Sequence, residues 1–251
     1  MEAFGPLRTL WVKISVAAAT VILGTGAVAA GAIDRRRAAR ITHAWGRLCL
    51  RLAGIPVRTE GLHHLRTGRR YVIMANHESG LDIPALLAAL PPSLESCFLA
   101  KRSLFTIPFL GWAMRAAGFV AVDRDDRSTA ASTFSEALRV IERRGSPLVF
   151  PEETWTQDGA LLPFQRGGFL IALKAGLEIL PIGLEGPRLV MPPGSPRLFQ
   201  HPVTVRIGRP IPTTGLRTSD RVELTSEVRQ AVDVLRGNRG HLRDNQDVGE
   251  V

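Results

Sequence analysis

A histidine and an aspartate stand five residues apart in the segment 75–82, directly after an apolar run at 71–74. Five helical steps turn a side chain by about 140°, so one continuous helix would hold His77 and Asp82 apart. A strand that ends before His77, a turn through Gly80 and a helix that begins near Asp82 would bring the two side chains together. Asp82 would then fix the imidazole tautomer and leave the other ring nitrogen as a general base.

The same segment also fits a purely structural role. Ser79 and Asp82 precede the apolar run 83–87 with the spacing of a helix-capping box, and Pro84 suits a first helical turn. Short motifs of this kind recur by chance, so the segment alone leaves catalysis and capping equally open.

Three later segments favour catalysis. Residues 118–124 end in the pair Asp123-Arg124, residues 149–154 read Val-Phe-Pro-Glu-Glu-Thr, and residues 179–183 form an apolar run centred on Pro181. Together with the N-H-x-x-x-x-D pattern at 76–82, they resemble the four sequence blocks of the glycerolipid acyltransferase family, which includes 1-acylglycerol-3-phosphate acyltransferase. The resemblance runs from about residue 70 to residue 212.

The resemblance implies acyl transfer from a thioester to a lipid hydroxyl, with His77 as general base and Asp82 as its partner. No covalent serine intermediate is required, and the Gly-x-Ser-x-Gly pattern of a nucleophile-elbow hydrolase is absent. No metal ion and no organic cofactor are implied. The partners implied are a membrane lipid acceptor and either acyl-CoA or acyl carrier protein as donor. Side chains expected to bind substrate are Lys101, Arg124, Glu152, Thr154 and, as a further candidate, Arg166.

The third block departs from the family pattern at two positions, and the segment after it departs at a third. Glu153 occupies the usual glycine, Trp155 the usual arginine, and Gln165 a position where lysine is common. An indole does not replace the charge of a guanidinium on an acceptor phosphate, although Arg166 could compensate. Three readings therefore stay open: a lysophosphatidate-type acceptor, another lysolipid such as a lyso-ornithine lipid or a lysophospholipid, or a non-catalytic lipid-binding membrane protein.

Composition agrees with an enzyme that works at a membrane surface. The chain has 251 residues, 45% of them hydrophobic, and a net charge of +9, which suits anionic phosphates or lipid head groups. Nucleic acid is not an expected partner, because aromatic residues make up only 6% and no zinc spacing or RNA-recognition signature is present. Cys49 and Cys97 are too few for a disulfide framework or a metal site.

The N-terminal part contains an uncharged run at 14–33, long enough to cross a membrane. Arginines follow it directly, which predicts that this end and the catalytic domain lie on the cytoplasmic side. A cleaved signal peptide is an alternative, and spanning the bilayer or lying in one leaflet are both open. Residues 35–53 predict a basic amphipathic helix, with Ile41, Trp45, Leu48 and Leu52 on the face that contacts either lipid or the catalytic domain.

Alternation of short apolar runs with helical patterns predicts an α/β fold, a layered mixed sheet flanked by helices, with an N-terminal membrane-associated helical segment. We expect membrane-anchoring and amphipathic helices at 1–55, an acyltransferase domain at 56–236 and a flexible tail at 237–251. Predicted strands are 71–75, 96–100, 119–123, 147–150, 180–184 and 203–207. Predicted helices are 83–90, 104–117, 128–143, 168–175 and 222–235.

Overall fold

The computed structural model describes residues 2–122, 130–142, 145–155 and 158–237. The predicted tail therefore lies outside the described residues, apart from its first position. Within the described part, seven strands form one mixed sheet in the order β1-β7-β6-β2-β5-β3-β4. The strands are β1 (Val57–Glu60), β2 (Val72–Ala75), β3 (Ser96–Lys101), β4 (Val120–Val122), β5 (Ser146–Val149), β6 (Ile179–Glu185) and β7 (Val203–Ile207).

Five neighbouring strands run in one direction, and β7 pairs antiparallel with β6 while β1 pairs parallel with β7. The carboxyl ends of the five parallel strands therefore meet at one edge of the sheet. Every residue of β2 and β5 is buried, as expected for central strands that are covered on both faces. The largest fully buried side chains include Tyr71, Phe98, Phe169, Ile73, Leu148 and Leu180.

The sheet is flanked by helices, which confirms the predicted α/β class. The helices are α1 (Pro6–Gly31), α2 (Arg35–Ala53), α3 (Asp82–Ala89), α4 (Leu110–Ala116), α5 (Ala130–Glu142), α6 (Gly167–Ala175), α7 (Pro187–Val190) and α8 (Arg221–Leu235).

The predicted helix at 104–117 is wrong in its first half. Residues Arg102–Thr106 form a 3₁₀ helix, and α4 begins only at Leu110. Pro108 lacks a backbone N–H, and Phe109 adopts a φ of 62°, which no α-helical residue has. These two residues break the helix that the apolar pattern suggested.

The first two helices form a hairpin that packs on the rest of the protein. Gly46 of α2 lies so close to α3 that an added Cβ would meet the Leu87 Cβ at 2.7 Å and the Pro84 carbonyl oxygen at 2.8 Å. His43 Nδ1 lies 2.8 Å from the Leu87 carbonyl oxygen, and burial lowers the pKa of this histidine. The sequence left two contacts open for the apolar face of this helix, with lipid or with the catalytic domain. Part of α2 makes the second contact.

The outer face of α1 is apolar and exposed. α1 is long and apolar enough to cross a membrane. Its inner face contacts α2, where the Trp45 indole N–H donates to Thr20 Oγ1 at 2.9 Å, and contacts the segment before α4 through Gly24. Exposed apolar side chains of α1 and the turn after it are Leu7, Leu10, Trp11, Ile14, Val21, Ile22, Val28 and Ile33.

Candidate active site

The loop between β2 and α3 carries the histidine and the aspartate, as the sequence predicted. β2 ends at Ala75, and α3 begins at Asp82. Asn76 ties the loop to the neighbouring strand: its side-chain amide donates to the Leu184 carbonyl oxygen at 2.9 Å, and its Oδ1 accepts the Leu184 N–H at 2.7 Å. The loop therefore starts from a fixed point at the carboxyl edge of the sheet.

His77 and Asp82 are in direct contact. His77 Nδ1 lies 2.6 Å from Asp82 Oδ2, and the aspartate side chain is fully buried. A carboxylate at this position holds the proton on Nδ1, so Nε2 keeps its lone pair and can accept a proton from a hydroxyl. The strand–turn–helix arrangement inferred from the spacing is confirmed.

Asp82 also organises the loop itself. Its Oδ2 accepts the backbone N–H groups of Glu78 at 2.6 Å and Ser79 at 3.1 Å. Its Oδ1 is buried and has no hydrogen-bond partner among the described residues. α3 has Leu81 at its N-cap and no side-chain cap, so the carboxylate oxygen of Asp82 holds the backbone of the preceding loop and the imidazole together rather than capping the helix.

Glu152 follows β5 and reaches the same loop from the neighbouring strand. Its Oε1 accepts the His77 backbone N–H at 2.8 Å, and its Oε2 accepts the Leu162 N–H at 2.8 Å. Burial raises the pKa of this carboxyl, which is 4% exposed as a residue. Glu152 thus fixes the backbone of the candidate base, a contact that the sequence did not predict.

Glu78 is a second carboxyl beside the pair. Its Oε2 accepts the Arg188 backbone N–H at 3.4 Å. Burial, with the negative charge of Asp82 as the second cause, raises the pKa of Glu78 to about 7. No sequence signal singled this residue out.

Two aromatic rings enclose the imidazole. The Phe150 ring is stacked on it, with centroids 4.1 Å apart and an interplanar angle of 12°. The Trp155 ring lies perpendicular to it at 86°, with centroids 4.5 Å apart. The side chain of His77 is consequently only 9% exposed.

An apolar cavity of about 240 Å³ begins at the imidazole. His77, Gly80 and Trp155 line it at the catalytic loop. Residues of α1, α2, α3 and α4 line most of the remainder, together with Phe98, Leu104 and Phe119. Those residues include Thr20, Leu23, Ile41, Trp45, Ile83, Leu87, Leu110, Ala113 and Met114. The cavity therefore extends from the His77 imidazole into the helical layer that contains α1, and its lining suits an apolar chain.

Three of the remaining predicted site residues lie at the surface. Lys101 ends β3 at the same sheet edge, and Arg166 precedes α6; both side chains are exposed, as is Thr154. Arg124 lies outside the described residues. Among the described residues, no group of three or more His, Cys, Asp or Glu side chains is placed to hold a metal ion.

Comparison with known proteins agrees with this geometry. The family model described as Acyltransferase matches residues 56–185, which include the histidine loop, Glu152 and the strand β6. The chain belongs to this acyltransferase family. The matched part begins one residue before β1 and ends with the last residue of β6.

Individual relatives align with most of this chain. The 1-acyl-sn-glycerol-3-phosphate acyltransferase alpha of Ovis aries is 31% identical over 209 residues, 80% of this chain and 72% of that protein. The enzyme of the same name from Homo sapiens is 32% identical over 182 residues, 72% of this chain and 64% of its own. The crystal structure of the 1-acyl-sn-glycerophosphate acyltransferase PlsC from Thermotoga maritima has the same fold, with a TM-score of 0.78, 24% identity and coverage of 92% of this chain and 95% of its own.

Proposed function

We propose that this acyltransferase moves a fatty acyl group from an acyl thioester to the free hydroxyl of a lysophosphatidate-type acceptor. The observation that carries the proposal is the His77–Asp82 contact of 2.6 Å beside an apolar cavity of about 240 Å³. The names of the relatives from Ovis aries and Homo sapiens support the choice of acceptor.

The geometry supports a direct attack. Nε2 of His77 takes the proton of the acceptor hydroxyl while the hydroxyl oxygen bonds to the thioester carbonyl carbon. The resulting tetrahedral centre then breaks its C–S bond, and the departing thiolate takes the proton back from Nε2. Asp82 stabilises the imidazolium that exists between the two steps. No covalent bond to the protein is formed.

The acyl chain would occupy the cavity. Its lining is almost entirely apolar, so burying a methylene there is worth about 0.8 kcal/mol. The thioester carbonyl would then lie near His77 at the catalytic loop. Either acyl-CoA or acyl carrier protein could deliver such a chain.

The acceptor would bind at the carboxyl edge of the sheet. We propose Lys101, Arg124 and Arg166 as cationic groups for its phosphate, because a phosphate monoester needs charged donors. Thr154 would contact it with its hydroxyl. Glu152 already accepts two backbone N–H groups, and its unused lone pairs remain for a hydroxyl of the acceptor.

We further propose that α1 lies in one leaflet rather than across the bilayer. Both ends of α1 contact the domain: the Phe4 N–H, just before the helix, donates to the Leu198 carbonyl oxygen at 2.8 Å, and Gly31, its last residue, lies against Ala116. A helix that contacts the domain at both ends lies parallel to the membrane surface and buries its apolar face in the lipid. The arginines after α1 favour the anionic cytoplasmic leaflet.

A second acceptor class is favoured by one observation. Trp155, which stands where the family carries an arginine, packs on the imidazole instead of offering a charge to a phosphate. The same chemistry would then serve a lyso-ornithine lipid or a neutral lysophospholipid.

An acceptor panel tests both. Purified protein is given an acyl-CoA or, in a parallel series, the corresponding acyl-acyl carrier protein. Each donor is combined in turn with lysophosphatidate, lysophosphatidylcholine and lyso-ornithine lipid, and the acylated products are measured by mass spectrometry. We expect the highest kcat/KM with lysophosphatidate. Turnover of another acceptor without turnover of lysophosphatidate would replace the first proposal by the second, and no turnover of any acceptor would support a non-catalytic lipid-binding protein.

A further inference from the structure

The imidazole of His77 is covered on two sides by side chains of different character. Phe150 is 6% exposed and packs in the core at the end of β5. Trp155 is 40% exposed and belongs to the surface segment that follows. Phe150 therefore covers the imidazole from the core, whereas Trp155 covers it from the surface side.

The position of Trp155 is set by its own segment. Glu153, two residues earlier, adopts a φ of 60°, a left-handed conformation that turns the chain back after Glu152. Trp155 then reaches both His77 and the cavity wall. The indole is large and has only two rotatable side-chain bonds, so it covers much area with little loss of conformational entropy.

A cover is chemically necessary at this point. The base that removes a proton from a lipid hydroxyl removes one equally from water: the water oxygen bonds to the thioester carbonyl carbon, the C–S bond breaks, and the thiolate recovers the proton from Nε2. The products are a free fatty acid and a thiol. Exclusion of water from the reacting centre is the general means by which enzymes suppress such side reactions.

We infer that Trp155 is a positioning residue that keeps water from the His77 imidazole, so that the bound acyl thioester is transferred to the lipid acceptor rather than hydrolysed. This inference rests on the proposed function, since it concerns the fate of the same thioester. Replacement of Trp155 should therefore change the ratio of free fatty acid to acylated lipid. Replacement of a residue that only stabilises the fold would leave this ratio unchanged.

The test uses full-length protein in nanodiscs, as wild type, Trp155→Ala, Trp155→Phe and, as matched control, Trp112→Ala. Trp112 is 50% exposed on α4, contacts Phe109 and lies outside the cavity lining. Oleoyl-CoA is supplied with lysophosphatidate, and free oleate and acylated lipid are quantified in the same sample.

We expect Trp155→Ala to raise the ratio of oleate to acylated lipid by roughly tenfold or more, Trp155→Phe to restore most of the wild-type ratio, and Trp112→Ala to leave it unchanged. The added oleate should disappear when His77→Ala is combined with Trp155→Ala, because both reactions use one base.

An unchanged ratio in Trp155→Ala, or an equal rise in Trp112→Ala, would overturn the inference. A wild-type protein that releases oleate as fast as it acylates lipid would overturn it as well. Where Trp155→Ala fails to fold, Trp155→Leu, which keeps apolar bulk without the aromatic ring, gives the same comparison with a smaller expected rise. Failure of the proposed function is separate: the wild type would then form no acylated lipid from any acceptor.

Discussion

The backbone N–H of His77 donates to Oε1 of Glu152 at 2.8 Å, so a carboxylate from the neighbouring strand fixes the main chain of the candidate base. The other oxygen of Glu152 accepts a second backbone N–H, from Leu162. The candidate active site is thus held by two carboxylates, Asp82 on the imidazole and Glu152 on the backbone.

Glu152→Gln should lower kcat, through the His77 backbone, more than it raises the KM for the acceptor. Glutamine has one acceptor oxygen, so its NH₂ group would face one of the two backbone N–H donors, at a cost of about 1–3 kcal/mol for the unpaired group. Steady-state kinetics with varied acceptor, together with thermal unfolding of the variant, measure both effects. A sharp rise in KM with unchanged kcat would show that Glu152 acts only through acceptor binding and not through the His77 backbone.

Glu153→Gly should stabilise the protein by up to about 1 kcal/mol, because Glu153 has a φ of 60° and glycine adopts this conformation without the Cβ penalty. The gain is limited by the greater freedom of glycine in the unfolded chain. Glu153→Ala is the control, since alanine keeps the penalty and removes the carboxylate. Equal stabilisation by Ala and Gly, measured by denaturant unfolding, would show that charge and not backbone strain matters at this position.

The sequence predicted the fold class, six of the seven strands of the described part and the His77–Asp82 contact, because these depend on local pattern and spacing. It missed β1, in which Arg58 and Glu60 alternate with Val57 and Thr59 and hide the apolar signal of an edge strand. Glu152 could not be assigned to the His77 backbone, since that contact joins residues 75 positions apart and depends on the pairing of β2 with β5. The place of Trp155 likewise follows from the turn at Glu153, which no local pattern indicates.

Glu78→Gln should change how stability depends on pH. Burial raises the pKa of Glu78 to about 7, above its unfolded value of about 4.5, so the folded state binds more protons than the unfolded state between those values. Stability of the wild type should therefore lose a contribution as pH rises from about 4.5 to 7, and the variant should lack that loss.

Thermal unfolding of both proteins at pH 5 and pH 8 checks this prediction. The difference in Tm, variant minus wild type, should be more positive at pH 8. His43, whose pKa is lowered, contributes in the opposite direction but equally to both proteins, so it cancels from the difference. A Tm difference that is independent of pH would contradict the assigned titration of Glu78.

Ile22→Glu should weaken membrane binding at least about tenfold, because Ile22 is 69% exposed on the apolar face of α1 and burial of its side chain in lipid is worth about 1.5–3 kcal/mol. Val222→Glu is the matched control, a comparably exposed apolar residue on α8. Vesicle sedimentation measures both, and high salt should not release the wild type. Equal binding by Ile22→Glu and wild type would argue against α1 as the lipid-facing helix.

Acyl transfer from acyl-CoA to lysophosphatidate by purified wild type, His77→Ala and Asp82→Asn, with unfolding curves for each, tests whether His77 is the base. We predict that the wild type forms phosphatidate and that His77→Ala retains the fold but loses transfer by roughly 10²- to 10⁴-fold, the usual contribution of a general base. Asp82→Asn should be severely impaired as well, because asparagine does not hold the imidazole tautomer. Turnover by His77→Ala within a few-fold of the wild type would show that His77 is not the base.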